Sequence, residues 1–207
     1  MTPRCSICVF CASSEQIASR YFEQARELGQ EMARRGHQLV YGGGRLGLMG
    51  AVARAVHDAG GRVIGVIPRR ADWAEAVYQE ADDLIYTATM RERKAIMEEK
   101  ADAFLALPGG IGTLEELLEI ITLRHLGYHE KPIVILDRYG YFDPLIEMLV
   151  RSIVEGFGRP RLRDMFHVAT TVTDALHHIE TYAAPREKKA TATEVLESTT
   201  EPGADQS

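Results

Sequence analysis

Apolar residues recur along this chain in runs of strand length, at Ser6 to Phe10, Gln38 to Tyr41, Arg62 to Ile67, Ala103 to Leu107 and Pro132 to Leu136. Between these runs the apolar positions return every three to four residues, the period of an amphipathic helix. They do so over Arg20 to Arg35, Leu48 to Ala59, Met90 to Lys100, Thr113 to Leu126 and Pro144 to Val154. Further strands are predicted at Asp83 to Tyr86 and near Phe166 to Ala169, and a last helix at Asp174 to Tyr182. Strand and helix in alternation predict right-handed crossovers and an α/β fold: a doubly wound parallel sheet, three layers α/β/α, in a single domain over residues 1–184. From Pro185 the composition turns to charged, Thr, Ser, Pro and Gly residues, and 185–207 is expected to be a disordered tail.

In an open parallel sheet, ligands bind beyond the carboxyl ends of the strands, where loops enter helices. The informative loops all fall there. Tyr41 to Gly50 is a glycine cluster between strand and helix, and bare N–H groups at a helix start favour a phosphate. Gly42, Gly44 and Gly47 formally satisfy the dinucleotide fingerprint, but the next strand ends Val66-Ile67-Pro68 with no acid to hold a ribose diol. A purely structural turn is the other reading of these glycines.

Pro108-Gly109-Gly110-Ile111-Gly112-Thr113-Leu114-Glu115-Glu116 follows a buried strand and opens a backbone nest ahead of a helix expected to start at Thr113. Such a nest binds anions, and with no Gly-Lys-Ser/Thr after it a monophosphate suits it better than a triphosphate. Thr113 and Glu116 also have capping-box spacing, so Glu116 reads as a helix cap, a catalytic acid or both. Thr89 and Glu92 share that spacing. Behind them Arg91, Arg93 and Lys94 put cations in the first turn of a helix, its positive end, which calls for an anionic partner, phosphate or carboxylate.

Composition narrows the classes. The chain has 207 residues, 45% of them hydrophobic, and a formal charge of −6, which argues against a nucleic-acid polymer as partner. No apolar span is long enough to cross a membrane, so a soluble, cytoplasmic protein is expected. Cys5, Cys8 and Cys11 are spaced like metal ligands but lie along an apolar strand without a fourth ligand, and are expected to be packed, reduced thiols.

At Val9-Phe10-Cys11-Ala12-Ser13-Ser14, the Tyr41–Gly50 loop, Met90-x-x-Arg93-Lys94 and Pro108-Gly109-Gly110-x-Gly112-Thr113-x-x-Glu116, the sequence resembles the LOG (Lonely Guy) phosphoribohydrolases. The resemblance runs over about residues 5–180. It implies a Rossmann-like fold that hydrolyses the N-glycosidic bond of cytokinin riboside 5′-monophosphates, or AMP, without a cofactor or metal and as a homodimer or higher oligomer. Arg93 and Glu116 match the family's catalytic pair. Gly43, Gly44, Glu75, Met90, Lys94, Gly109, Gly110, Ile111, Gly112, Thr113, Leu114 and Glu115 match substrate-holding positions. The chain departs from the family's pattern in Ala71 to Ala76, at Arg91, and at Leu123 and His125, where many members carry Trp and Gln. The alternatives are a broader nucleotide 5′-monophosphate nucleosidase, a non-catalytic nucleotide-binding module and, third, an NAD-dependent oxidoreductase. The lysine decarboxylase label often given to such sequences has no support here, since nothing marks a lysine that would carry pyridoxal phosphate.

Overall fold

The computed structural model describes residues 4–69 and 76–182. The expected tail and the expected substrate residue Glu75 lie outside the described residues. In chain order the elements are β1 (Ser6–Phe10), α1 (Ser19–Arg34), β2 (Gln38–Tyr41), α2 (Gly47–Asp58), β3 (Val63–Pro68), β4 (Asp83–Thr87) and α3 (Met90–Lys100). They continue with β5 (Ala103–Ala106), α4 (Ile111–His125), β6 (Ile133–Leu136), α5 (Asp143–Val154), β7 (His167–Ala169) and α6 (Val172–Thr181).

The strands form one seven-stranded sheet in the order β4-β3-β2-β1-β5-β6-β7, every neighbouring pair parallel. Strand side chains alternate between faces, so each of the five inner strands feeds two cores. Ile7 and Val9 pack with Leu28 of α1, Val52 of α2 and Leu176 of α6. Cys8 and Phe10, one residue out of phase, pack with Met97 of α3, Leu117 of α4 and, at the start of α5, Phe142. These side chains are almost wholly buried, each contributing about 1.5–3 kcal/mol where the side chain is a large aliphatic or aromatic one. The same alternation disposes of a metal reading for the cysteines. Cys5 and Cys11 border one core and Cys8 the other, so the sheet itself separates them.

From β1 the chain winds outward to β4, then crosses back through α3 to lay β5 on the other side of β1. The reversal opens a crevice between the exits of β1 and β5. Register sets those exits side by side, with Val9 opposite Leu105 and Phe10 opposite Ala106.

One sequence expectation fails at this point. Helix α4 begins at Ile111, not Thr113, with Gly110 as its N-cap and no side chain capping it. Thr113 is therefore already inside the helix, and the Thr113–Glu116 capping box does not form. The Thr89–Glu92 pair does cap α3: the Thr89 hydroxyl accepts from the Glu92 amide at 3.1 Å, and the Glu92 carboxylate from the Ala88 amide at 2.7 Å.

Candidate active site

A cleft of about 590 Å³ lies over the crevice. Cys11, Ala12 and Ser13 line it from β1, Gly42, Gly44, Leu46 and Met49 from the loop into α2, and Ile67 and Ala76 from beyond β3. Met90 and Arg93 of α3 and residues 110–113, 115 and 116 close the other side.

Ala12 links the two glycine loops. Its N–H donates to the Pro108 carbonyl at 3.2 Å, and its carbonyl accepts from Leu48 and Met49, the second and third amides of α2, at 2.9 and 3.2 Å. The start of α2, expected from sequence to offer bare N–H groups, is thus already capped by protein. Gly47 permits the arrangement: its φ is +58°, and a Cβ there would come within 2.5 Å of the Ser13 carbonyl carbon. At α4 the case is the reverse. The first intrahelical bond runs from Leu114 N–H to Gly110 carbonyl, so helix geometry leaves the amides of Ile111, Gly112 and Thr113 ahead of it pointing into the cleft end.

Arg93 projects from the first turn of α3 and is only 8% exposed. Its Nε donates to the Val66 carbonyl at 3.0 Å, at the end of β3, and its Nη1 to Oε1 of Glu116 at 2.8 Å. Beside it, Lys94 is bonded to Glu115 and lies 2.8 Å from Glu119, both on α4. The anions that the α3 cations require are therefore carboxylates of the neighbouring helix; Arg91 is exposed. Glu116 is almost entirely enclosed, its side chain 12% exposed. Burial pushes its carboxyl above the usual glutamate value, and the Arg93 guanidinium pulls it only part of the way back. Desolvation outweighs the guanidinium because Glu116 meets so little water.

Of the residues singled out from sequence, Gly44, Met90, Arg93, Gly110, Ile111, Gly112, Thr113, Glu115 and Glu116 line the cleft together. Gly43, with φ +75°, turns the loop against Ile67 instead. Gly109, the first glycine of the nest, does not line the cleft, and Leu114 faces an adjoining apolar groove. Lys94 does not line the cleft and is held by its two carboxylates, Glu115 and Glu119. Leu46, Met49, Ile67 and Ala76, to which the sequence assigned no site role, complete the wall with apolar surface. Ala76 is held there by an antiparallel strap across the glycine loop, with Arg45 N–H donating to Ala76 carbonyl at 2.8 Å and Tyr78 N–H to Gly43 carbonyl at 2.9 Å. The strap's far end is pinned by the Tyr78 hydroxyl, 2.9 Å from His57 Nδ1, while His57 Nε2 lies 3.0 Å from Asp82. The carboxylate requires a proton on Nε2, so Tyr78 donates to Nδ1 in the neutral ring.

Gly42 tests the geometry directly. A Cβ at this position would overlap Nη2 of Arg93 and come 2.7 Å from Met49 Cε, while the backbone there needs no positive φ. Gly42→Ala is expected to push Arg93 off Glu116, lowering the melting temperature because a buried ion pair is disturbed, and lowering kcat by about 10²-fold, the scale of an ångström-sized misplacement. Parallel thermal melts and turnover assays check it; unchanged turnover would mean that the Arg93 geometry does not matter.

Set against known proteins, residues 49–179 match a family described as "Possible lysine decarboxylase". The chain is 44% identical over 185 residues to the cytokinin riboside 5′-monophosphate phosphoribohydrolase LOG3 of Arabidopsis thaliana, covering 89% of this chain and 86% of that protein. It is also 44% identical over 176 residues to the cytokinin riboside 5′-monophosphate phosphoribohydrolase LOG of Oryza sativa subsp. japonica, covering 85% and 73%. Among solved structures, the molybdenum cofactor carrier protein of Chlamydomonas reinhardtii superposes with a TM-score of 0.65 at 26% identity, over 87% of this chain and 97% of that one. The molybdenum cofactor binding protein of Rippkaea orientalis superposes with 0.66 at 22% identity, over 87% and 98%, a likeness of fold alone.

Proposed function

The chain belongs to the LOG family of cytokinin riboside 5′-monophosphate phosphoribohydrolases, and from that premise we propose how its cleft performs the reaction. It hydrolyses the N-glycosidic bond of cytokinin riboside 5′-monophosphates to free base and ribose 5-phosphate, with AMP as a further substrate. The observation that carries the site assignment is the buried Arg93–Glu116 pair standing between the open amides of α4 and the apolar end of the cleft.

The 5′-phosphate sits on the amides of Gly110 to Thr113, where the α4 dipole favours an anion. The base lies against Leu46, Met49, Ile67 and Ala76, whose apolar surface suits a purine with a hydrocarbon N6 substituent. That leaves the ribose beside Glu116. As the C1′–N9 bond breaks, its electron pair goes to the base, which takes up a proton, and positive charge builds on the sugar. Glu116 stabilises that charge and accepts a proton from the water that attacks C1′. Arg93 orients Glu116 and holds the ribose or phosphate oxygens with the donors Glu116 leaves free.

The family's decarboxylase description does not fit these residues. A lysine that forms an imine with pyridoxal phosphate needs a depressed pKa. Burial does press on Lys94, but hydrogen bonds to Glu115 and Glu119 outweigh it and hold the ammonium above its usual value.

Free base should appear on incubation with isopentenyladenosine 5′-monophosphate or AMP but not with the matching nucleosides, which lack the phosphate. Release from nucleosides at the same rate would remove the phosphate from the reading. Binding of the monophosphates without release would leave a nucleotide-binding module.

We further propose that the protein works as a homodimer in the cytoplasm. Three unpaired cysteines suit a reducing compartment. Helix α5 has no fully buried residue: Leu145 and Ile146 are partly buried against the core, while Met148 and Val154 stay exposed. Met148 is 62%, Val154 75% and Phe157 86% exposed, and Ile111 at the α4 groove, Leu126 and Tyr128 are exposed as well. A second copy covers such a patch. Met148→Asp with Phe157→Asp is expected to yield monomers in sedimentation velocity; an unchanged dimer would place the interface elsewhere.

A further inference from the structure

The reaction as set out makes no use of Tyr141, in the loop after β6, yet its hydroxyl donates a 2.6 Å hydrogen bond to the Gly109 carbonyl. The geometry points to Tyr141 as a positioning residue that orders the phosphate-binding amides of α4; this rests on the phosphate placement proposed above.

Gly109 and Gly110 together form the most freely rotating stretch of the nest, since neither carries a Cβ to restrict it. The peptide bonds described are trans, and in a planar trans peptide the carbonyl of one residue and the N–H of the next point in opposite directions. Fixing the Gly109 carbonyl toward the β6 loop therefore fixes the Gly110 N–H away from it, on the side where Gly110 lines the cleft. The tether thus selects one orientation of the first donor a phosphate would meet.

Tyr141 is itself firmly placed. The buried Asp137 carboxylate, at the end of β6, accepts the N–H of Tyr141 and the N–H of Phe142, both at 2.8 Å. The Tyr21 ring of α1 meets the Tyr141 ring edge-on, with centroids 6.2 Å apart, and Phe142 meets it at 5.2 Å on the other side. The hydroxyl is therefore delivered from a rigid base rather than a mobile loop. Because Tyr141 is 42% exposed, removing its oxygen leaves no buried cavity.

The test is Tyr141→Phe, with titration calorimetry of ribose 5-phosphate and of adenine separately, kinetics on isopentenyladenosine 5′-monophosphate, and a thermal melt. Loss of the tether should weaken ribose 5-phosphate roughly three- to ten-fold, the range of one neutral hydrogen bond. Adenine affinity, kcat and melting temperature should stay near wild type while KM rises. Unchanged ribose 5-phosphate affinity would overturn the inference, as would equal weakening of both ligands, the mark of a merely structural role. If the wild type binds ribose 5-phosphate more tightly than the variant yet neither releases base, the tether stands and the hydrolase reading falls. If the wild type does not bind ribose 5-phosphate, the phosphate placement and the tether fall together.

Discussion

Glu116→Gln is expected to cut base release by about 10²- to 10⁴-fold, the usual share of a positioned acid–base group, while the nucleotide still binds. Glutamine keeps the shape and can still accept from Arg93 Nη1, but it cannot take a proton from water or offset positive charge on the sugar. The pH profile sharpens the test. The proposed mechanism needs the carboxylate ionised, and burial raises the Glu116 pKa above its ordinary value. kcat/KM in the wild type should thus be full above that raised pKa and fall as pH drops through it, along an acid limb lying above the ordinary glutamate range. In the glutamine variant this limb should vanish. Chromatographic detection of free base across pH checks both. Normal turnover in Glu116→Gln would remove the residue from the chemistry.

Arg93→Ala should damage both turnover and fold. The change strips the partner from an enclosed carboxylate and leaves the Val66 carbonyl without its donor. Removing one member of a buried ion pair costs about 3–5 kcal/mol. For a chain of this size that amounts to a fall in melting temperature of roughly 10 °C. With the guanidinium gone, nothing at that distance opposes the desolvation of Glu116, so its pKa climbs further and the acid limb moves to higher pH. Arg93→Lys separates the effects. It keeps a cation but not the fork that reaches Val66 and Glu116 together, so stability should recover more than turnover. An alanine variant as stable and active as wild type would end the case for Arg93.

The architecture was legible because each strand is a short apolar run and each helix an apolar stripe, and the seven strands and six helices fall within a few residues of where those patterns put them. Arg93 and Lys94 were legible as charges in search of an anionic partner, and Glu116 as a helix cap or a catalytic acid. Their pairing with each other was not, because α3 and α4 lie on the same face only once the crossover has formed. The misplaced start of α4 has a local cause: Thr113 has the side chain of a cap, but the glycines before it let the helix begin at Ile111 with backbone alone. The capping of α2 by Ala12 and the tether from Tyr141 to Gly109 were also out of reach. In both, a backbone carbonyl is a partner, and carbonyls carry no sequence signature.

Helix α3 is the covalent crossover from β1–β4 to β5–β7, which otherwise meet through hydrogen bonds and packing. Arg93 belongs to the first group, Glu116 to the second. A polypeptide cut at the Ala101–Asp102 turn would yield two fragments, each carrying half of an ion pair and neither a complete catalyst. Hydrolysis regained on mixing them would report that the fragments had found each other in register, which makes turnover a built-in gauge of assembly.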